Sequence, residues 1–452
     1  MSENLDPALF SEKDRFDGIE RRILGVSSPG IRPGLSRMAR LCSLLGNPER
    51  AFPAVHVLGT NGKGSVCAAI DSILRESGYR TACYTSPHLE HMGERLAFDG
   101  KILPAASWQE SLDRVVEAIQ ADSVLSTDPP SVFEILTATA YLCIARGNRE
   151  IAVIEAGLGG RLDATNLLGD VRMTVFTTLG KDHEDILGHG IETIAREKFA
   201  ALRPRTPAIS MTNGAALDKI IVEYAQKLCS PLCLLERDAA LDLARIDTQG
   251  GSFRLLRSGC APLELTTPLL GVHQVTNAAL AALACLGLSQ SWRRISEESV
   301  QRGLKRTRWP GRCEKIPLVP PVLLDGAHNP QGAETLSKNI LSLWPGIRPA
   351  FVMAAMRDKD IMGMLGALSR TNGDLFCTQV EGMDRSETAP MLAEKALSLP
   401  WPGTVRVFRN PREAIREAMG SAPFVVCTGS LYFIGSIRRF LIDQVSGKEG
   451  QP

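Results

Sequence analysis

A glycine-rich segment, Gly59-Thr60-Asn61-Gly62-Lys63-Gly64-Ser65, carries the most recognisable chemistry in the sequence. It lies between a predicted buried strand over residues 54–58 and a predicted helix over residues 66–76. Glycines let the backbone aim its N–H groups at an anion, the helix N-terminus adds positive potential, and Lys63 can reach the outer phosphates. The strict G-x-x-x-x-G-K-[ST] pattern is not met, because Gly64 separates Lys63 from Ser65. We therefore predict a phosphate-binding loop, the alternative being a plain turn with a solvated lysine.

Polar side chains also follow three further predicted strands. The side chains are Ser86, Glu155 and His183, after strands over residues 80–85, 151–155 and 173–178. Because ligands of open α/β sheets bind at the carboxyl ends of the strands, we expect these groups near the glycine-rich segment. Carboxylate and hydroxyl oxygens suit Mg²⁺ on a phosphate group. The sequence therefore predicts a metal site, with the plainer alternatives that Ser86 is a turn residue and His183 a loop histidine.

Short apolar strands alternate with helical segments along most of the chain, which indicates parallel sheets covered by helices. Over residues 252–270 the pattern tightens to period two, which predicts a small antiparallel patch. The turn-rich segment 307–312 then predicts a domain boundary. We predict an α/β protein with two domains. Residues 1–306 form an N-terminal domain with a P-loop-type parallel sheet and the antiparallel patch, and residues 307–452 form a C-terminal Rossmann-like domain.

Composition excludes several classes of function. The 452 residues are 44% hydrophobic and 22% charged, with 51 Lys+Arg against 50 Asp+Glu, so no basic excess favours nucleic acid as a partner. The longest apolar run, residues 278–288, is short of the roughly 20 residues that span a membrane. The acidic residues 1–6 do not resemble an export signal. Eleven cysteines without a Cys-x-x-Cys pair indicate reduced thiols in a cytoplasmic protein.

Further short motifs accompany the glycine-rich segment. They are Thr85-Ser86-Pro87-His88-Leu89, Gly157-Leu158-Gly159-Gly160-Arg161-Leu162-Asp163-Ala164-Thr165-Asn166, Arg196-Glu197-Lys198, His273-Gln274-x-x-Asn277, Asp325-Gly326-Ala327-His328-Asn329-Pro330 and Thr428-Gly429-Ser430-Leu431. In this order, and from about Ile31 to Arg438, the chain resembles the folylpolyglutamate synthase and dihydrofolate synthase family of ATP-dependent Mur-type ligases. The version of the loop at residues 161–166 is similar to that of the bacterial bifunctional enzymes.

The resemblance implies roles for residues of both domains. Residues 59–65 would bind the triphosphate of ATP, and Asn277 and Arg312 would contact the nucleotide. Asp325 and His328 would close over ATP in a cleft between the domains, which fits the turn-rich boundary segment. Together with Lys63 and Lys198, these two residues are the implied catalytic groups.

The resemblance also implies ions and a modified side chain. Ser86, Glu155 and His183 would hold two Mg²⁺ ions, and a monovalent cation would bind as well. Lys198 would carry a carbamate, which turns a cation into an anionic ligand for the metal region. Without the resemblance, Lys198 would be interpreted as an exposed helix lysine.

The implied reaction is amide formation. A substrate carboxylate attacks the γ-phosphate of ATP, ADP leaves, and the amino group of L-glutamate captures the acyl phosphate. The substrates would be dihydropteroate and reduced folates, bound by Asp163, Phe133, Arg95 and Ser430. Asp163 would accept hydrogen bonds from the pterin edge, the alternative being that it caps a turn beside Thr165. Residues 90–95 keep the Glu-Arg pair of the family but lack its aromatic residue.

Other functions remain open at this point. The chain could extend folates without using dihydropteroate, or it could be a nucleotide-binding switch without ligase activity. A cell-wall amino-acid ligase is disfavoured, because we expect such an enzyme to have a uridine-sugar-binding domain ahead of the glycine-rich segment, and the 58 residues before Gly59 are too few for one. We expect a monomer, because the site of the family lies within one chain.

Overall fold

The computed structural model describes residues 11–447, so the acidic segment 1–6 lies outside the described residues. The α-helices are α1 Glu12–Val26, α2 Ser36–Leu44, α3 Lys63–Glu76, α4 Ala105–Ala121, α5 Ser123–Thr127, α6 Val132–Arg146, α7 Glu184–Leu187, α8 Ile191–Phe199, α9 Ala215–Lys227, α10 Val272–Leu288, α11 Glu297–Arg306, α12 Pro330–Leu343, α13 Ile361–Leu368, α14 Ala389–Leu397, α15 Pro411–Ser421 and α16 Leu431–Val445. Short 3-10 helices cover Pro48–Arg50, Met92–Arg95, Ala164–Leu167 and Ser369–Thr371. Of the helices in residues 11–447, none is long and apolar enough to cross a membrane.

The strands form two sheets. The strands are β1 Pro53–Leu58, β2 Thr81–Tyr84, β3 Leu96–Phe98, β4 Lys101–Ile102, β5 Ile151–Glu155, β6 Asp170–Phe176, β7 Ala208–Met211, β8 Leu232–Leu235, β9 Ala239–Asp247, β10 Gly250–Arg257, β11 Leu263–Thr267, β12 Glu314–Ile316, β13 Val322–Leu324, β14 Ala350–Met353, β15 Asp374–Cys377, β16 Val405–Val407 and β17 Val425–Thr428. The first sheet has the order β11-β10-β9-β8-β7-β6-β1-β5-β2-β3-β4, and the second has the order β12-β13-β17-β14-β15-β16.

The centre of the first sheet is parallel and buried. Strand β1 pairs in parallel with β5 and β6, and every residue from Ala54 to Leu58 is buried. Continuous burial on both faces is expected for a central parallel strand covered by helices, and it explains the run of apolar residues in β1. The carboxyl ends of β1, β2 and β5 therefore lie next to one another at one edge of the sheet.

The second sheet repeats this design at smaller size. Strands β13, β17, β14, β15 and β16 are parallel neighbours, and β12 pairs with β13 antiparallel. One apolar cluster packs on this sheet and includes Phe351, Leu365 and Phe424. Residues that follow β13 and β17 therefore share one edge of this sheet.

The chain divides into two compact units, which differ in part from the sequence-based domains. Among residues 11–447, one unit comprises residues 11–242, 254–265 and 276–307, and the other comprises residues 243–253, 266–275 and 308–447. The sequence analysis assigned residues 243–253 and 266–275 to the first domain. Local patterns mark the turn-rich segment after Thr307, but they do not show that two earlier segments pack with the residues that follow it.

The predicted two-domain α/β architecture is confirmed. Strands β5, β7 and β13 have the predicted bounds, whereas β6 ends at Phe176, before the predicted end at residue 178. The sequence analysis did not identify α1, α2 and α4, which pack together with α6. Their role is to cover the face of the sheet that carries Ala54 and Ile154.

Close packing of α11 on α3 generates a prediction about stability. A Cβ atom at Gly303 would lie 2.4 Å from the Cα atom of Ile73. The Gly303→Ala variant is therefore expected to be destabilised by about 1–3 kcal/mol, because the helices must separate. Gly18→Ala in α1 is the control, since no atom lies within 4 Å of its added Cβ, and it is expected to be neutral or stabilising by about 0.5–1 kcal/mol. Denaturant unfolding measures both, and equal stability of the two variants would contradict the packing argument.

Candidate active site

The glycine-rich segment forms the turn between β1 and α3, and we call it the phosphate loop, residues 59–65. Gly62 has φ of 91° and directly precedes the first residue of α3, and no side chain caps this helix. Its first intrahelical hydrogen bond runs from the N–H of Val66 to the carbonyl of Gly62 at 3.0 Å. The N–H groups of the first turn therefore remain without helical partners, as an anion site requires.

Two side chains fit against the glycines of the phosphate loop. Gly59 has φ of 144°, and a Cβ atom there would lie 1.8 Å from the hydroxyl oxygen of Thr177. A Cβ atom at Gly62 would lie 2.6 Å from Oδ1 of Asn277. Both positions therefore need glycine, and the second shows that the side chain of Asn277 lies against the phosphate loop.

Thr178 holds the other half of the phosphate loop. Its carbonyl oxygen accepts hydrogen bonds from the N–H groups of Thr60 at 2.9 Å and Asn61 at 3.4 Å, and its hydroxyl donates to the carbonyl of Asn61 at 3.1 Å. The Thr60 hydroxyl adds a 3.1 Å bond to the carbonyl of Gly180. The N–H groups of Thr60 and Asn61 are thus engaged by the protein, so a phosphate would be bound by the helix end of the loop.

Lys63, Glu155 and Ser86 come together at the edge of the sheet, as predicted. The Lys63 ammonium lies 3.8 Å from Oε1 of Glu155, whose side chain is 5% exposed. The backbone N–H of Ser86 donates to Oε2 of Glu155 at 3.1 Å. A buried carboxylate beside a lysine can balance the charges of a metal ion and a phosphate group.

Lys198 lies directly under the phosphate loop rather than on an exposed helix face. Its side chain is buried, and Nζ donates to the carbonyl oxygen of Gly59 at 2.9 Å. Burial and the neighbouring charge of Lys63 lower the pKa of Lys198 to about 7, although Asp163 and Asp182 oppose the shift. The amine is therefore largely neutral above about pH 7, which is the form that reacts with carbon dioxide.

The donor set around Glu155 fits a magnesium ion. Glu155 offers a carboxylate and Ser86 a hydroxyl, and Mg²⁺ usually takes one or two carboxylates together with substrate phosphates and water. His183 lies farther along the edge, in the left-handed conformation with φ of 53°, and its Nε2 is 3.8 Å from Oδ1 of Asp182. Within residues 11–447, no group of three His, Cys, Asp or Glu side chains is arranged to hold a metal by itself. The arrangement suits an ion that is bound partly by the nucleotide.

The loop after β5 is organised by Asp163, and we call residues 157–166 the Asp163 loop. Oδ2 accepts from the N–H of Leu158 at 2.7 Å, and Oδ1 accepts from the N–H of Thr165 at 3.0 Å and from the Thr165 hydroxyl. Burial raises the pKa of Asp163, and these hydrogen bonds oppose the shift. Asp163 therefore caps the short helix Ala164–Leu167. This agrees with the alternative interpretation, in which Asp163 caps a turn beside Thr165.

Phe133 and Arg95 lie near the same loop. A Cβ atom at Gly157 would lie 2.4 Å from the Phe133 ring, and the Tyr84 and Phe133 ring centroids are 6.4 Å apart. Arg95 donates from Nε to Nδ1 of His88 at 3.1 Å. Burial raises the pKa of Tyr84 to about 12, with a smaller opposing effect from the charge of Arg95. The predicted substrate residues of the first unit thus share one region with Tyr84, which the sequence analysis missed.

The four predicted site residues of the second unit also lie together. The carbonyl of Gly326 accepts from Nη1 of Arg312 at 3.2 Å and from Nδ1 of His328 at 2.9 Å. Asp325 is buried and accepts from the N–H groups of Ala327 at 2.9 Å and Cys313 at 2.8 Å. The hydroxyl of Ser430 accepts from the N–H of Tyr432 at 3.2 Å, which caps α16. Asp325 and Ser430 thus have local structural partners in this unit.

Several residues of the site were not predicted, and one simple signal could have found two of them. Thr177 and Thr178 follow β6, so the rule that selected Ser86 and Glu155 applies to them as well. Tyr84 and Cys313 have no such signal, because only their tertiary neighbours distinguish them from other core residues.

Two family models match the chain. The Mur ligase middle domain matches residues 57–285, and the C-terminal domain of dihydrofolate synthetase matches residues 317–440. The first match contains the phosphate loop, Glu155 and Lys198, and the second contains Asp325, His328 and Ser430.

Similar proteins agree with these models. The dihydrofolate synthase/folylpolyglutamate synthase of Bacillus subtilis is 33% identical over 91% of this chain and 96% of its own length. The structure of Mycobacterium tuberculosis folylpolyglutamate synthase complexed with ADP has a TM-score of 0.86 and 28% identity, covering 95% of this chain and 99% of that one. Escherichia coli FolC in complex with DHPP and ADP has a TM-score of 0.83 and 28% identity, covering 95% and 98%. The chain therefore belongs to the dihydrofolate synthase/folylpolyglutamate synthase family of Mur ligases and is an ATP-dependent ligase.

Proposed function

We propose that the chain joins L-glutamate to dihydropteroate and to reduced folates, with ATP as the source of energy. The observation that carries the proposal is the contact of Lys63 with the buried Glu155 at an uncapped helix N-terminus. Relatives named for both activities support the two substrates. The alternative, extension of reduced folates alone, differs only in the use of dihydropteroate.

The chain's own groups would act mainly by positioning and by balancing charge. The carboxylate of the pteroate attacks the γ-phosphorus, ADP leaves, and the glutamate nitrogen then attacks the acyl carbon while phosphate departs and the amine releases a proton. Lys63 and the N–H groups at the start of α3 would hold the phosphates, so that charge developing on their oxygens is stabilised. No enzyme nucleophile is required.

Glu155 and Ser86 are proposed to hold Mg²⁺, and His183 a second ion. A bound metal ion would neutralise charge on the transferring phosphoryl group. The carboxylate of Glu155 is buried beside Lys63, so the charge of the ion compensates a group that is otherwise costly to bury. A monovalent cation near this site is part of the same proposal.

Substitution of the side chains that are proposed to bind phosphate and metal is expected to reduce product formation strongly. The protein is incubated with ATP, Mg²⁺, L-glutamate and either dihydropteroate or a reduced folate, and the glutamylated product is quantified. Glu155→Gln and Lys63→Ala are expected to lower turnover by at least about 100-fold, because a developing charge loses its partner. Gly18→Ala serves as the control with unchanged turnover. A wild-type protein that forms product only from a reduced folate would establish the alternative, and one that forms no product from either would contradict the proposal.

Lys198 is proposed to carry a carbamate in the active enzyme. The support is its burial under the phosphate loop, the lowered pKa of about 7, and its bond to a carbonyl rather than to an acid. Carbamate forms on the neutral amine, so formation falls as the pH drops below about 7 and the ammonium takes over. The modification would place an anion next to Lys63.

The carbamate generates its own test. Wild-type activity is expected to rise with added bicarbonate, and more steeply at pH 8 than at pH 6. Lys198→Ala is expected to lose most activity and to regain part of it with acetate or another small carboxylate, which replaces the missing anion. A mass spectrum under carbon dioxide that shows an unmodified Lys198, together with activity that is indifferent to bicarbonate, would contradict the carbamate.

The Asp163 loop and Phe133 are proposed to bind the pteridine, with Arg95 nearby. A carboxylate accepts about four hydrogen bonds. At Asp163 the N–H groups of Leu158 and Thr165 and the Thr165 hydroxyl donate to the carboxylate, and the backbone N–H of Gly157 adds a further hydrogen bond. A pteridine N–H group would therefore share a carboxylate oxygen with the protein's own donors. Because the same carboxylate also caps the helix, the effect of its removal on substrate binding has to be measured separately from its effect on stability.

Asp163→Ala is expected to raise KM for dihydropteroate by about tenfold or more and to change KM for ATP by less than about twofold. Steady-state kinetics with both substrates and a thermal melt measure the difference. Thr174→Val is a control for loss of a buried polar group in the same sheet. If both KM values rise equally while the melting temperature falls, Asp163 is only a cap.

Residues of the second unit and the assembly state complete the proposal. Arg312 and Asp325 would take part in nucleotide binding, His328 in stabilising oxyanion charge, and Ser430 in substrate binding. We also propose a monomer, since every residue named for the reaction belongs to one chain. Location in the cytoplasm is supported by eleven cysteines without a disulfide, eight of them buried.

A further inference from the structure

His56 is a buried polar residue in the middle of a central strand. It lies in β1, and the neighbours on its own face, Ala54 and Leu58, belong to two separate apolar clusters. Its side chain is fully buried, and burial together with the charge of Arg203 lowers the pKa of His56 to about 3. The imidazole is therefore neutral, and burying it is costly unless it has a specific hydrogen-bond partner.

The partner of His56 lies in the Asp163 loop. Nε2 of His56 is 2.8 Å from the hydroxyl oxygen of Thr165. That hydroxyl donates its only hydrogen to Oδ1 of Asp163, so it accepts from His56, and Nε2 carries the proton. Oδ2 of Asp163 then accepts from the N–H of Leu158. A continuous series of hydrogen bonds thus runs from β1 to the start of the Asp163 loop, and we call it the His56 relay.

Arg161 also joins the Asp163 loop to Glu197, and two further contacts hold the loop near Thr165. The hydroxyl of Tyr141 donates to the carbonyl of Thr165 at 3.3 Å, and Nη2 of Arg203 donates to the carbonyl of Asn166 at 2.7 Å. Both bind main-chain atoms at the end of the loop. The His56 relay instead acts on the Asp163 side chain, whose other oxygen holds Leu158, next to the Gly157 that packs on Phe133.

We propose that His56 is a positioning residue that orients Asp163 and the start of the Asp163 loop for binding of the pteridine substrate. The inference rests on the proposed function, because it assigns the pteridine to this loop. His56 touches neither substrate nor phosphate, and it acts through Thr165. The phosphate loop has its own contacts to Thr177 and Thr178, so loss of the relay leaves nucleotide binding intact.

Substitutions that remove or restore the Nε2 donor test the relay. His56→Leu is expected to raise KM for dihydropteroate by about tenfold, with KM for ATP within about twofold of the wild type. His56→Gln places an amide N–H group near the position of Nε2 and is expected to restore KM to within about threefold. His56→Asn is too short to reach Thr165 and is expected to behave as the leucine variant.

Thr174→Val is the matched control. Thr174 pairs with His56 across β1 and β6, is equally buried, and its hydroxyl has no partner within residues 11–447. Its KM values are expected to remain those of the wild type. A leucine variant with normal KM for dihydropteroate would overturn the proposal, as would equal impairment of the leucine and glutamine variants or an equal rise in KM for ATP.

Two further measurements keep the test decisive. If His56→Leu does not fold, Thr165→Val interrupts the same relay and is expected to raise KM for dihydropteroate alone; a normal value would overturn the proposal. If the wild type uses neither dihydropteroate nor a reduced folate, the proposed function fails. The relay is then measured by hydrogen exchange: the amide of Leu158 is expected to exchange faster in His56→Leu than in His56→Gln and Thr174→Val, because only the leucine variant lacks the donor to Thr165. Equal protection of Leu158 in the three variants would overturn the proposal.

Discussion

The uncapped N-terminus of α3 is the constraint on which the rest of the site depends. A helix that begins at the end of a central strand leaves its first N–H groups without partners, and burying such groups is unfavourable unless an anion or water satisfies them. The phosphate loop presents these groups together with Lys63, so positive potential accumulates at one point of the sheet edge. The acidic Glu155 offsets this charge. A bound phosphate with its metal ion would change both the hydrogen bonding of these N–H groups and the net charge at this point.

The surroundings of the phosphate loop follow from this concentration of charge. A second amine, that of Lys198, lies under the loop and donates a hydrogen bond to the carbonyl of Gly59. The charge of Lys63 is close enough to help burial lower the pKa of Lys198 to about 7. A buried ammonium close to a second, partly exposed one is unfavourable, and conversion of the Lys198 amine to an anionic carbamate removes the repulsion. The proposed modification of Lys198 would therefore relieve the charge repulsion that the site itself creates.

The Asp163 loop places polar groups in a largely apolar region. Hydrogen bonds join Asp163, Thr165 and His56, so the loop has a defined conformation in spite of its three glycines. Phe133 packs on Gly157 at the start of the same loop. Binding of an aromatic heterocycle would benefit from such a preorganised surface, because little conformational entropy would then be lost.

The sequence by itself determined the features that depend on local spacing. Glycines between an apolar strand and a helix predict the phosphate loop, and the end of the strand at Glu155 predicts a carboxylate beside it, because parallel strands share an edge. The alternation of strands and helices predicts the two-domain α/β fold for the same reason. Only the tertiary structure decided that Lys198 is buried, that Asp163 caps a short helix, and that Asn277 lies against Gly62. His56 looked like any other residue of a buried strand, and its partner Thr165 lies far along the chain. Burial and pairing between distant residues arise from the packing of whole elements, which the local pattern of side chains does not specify.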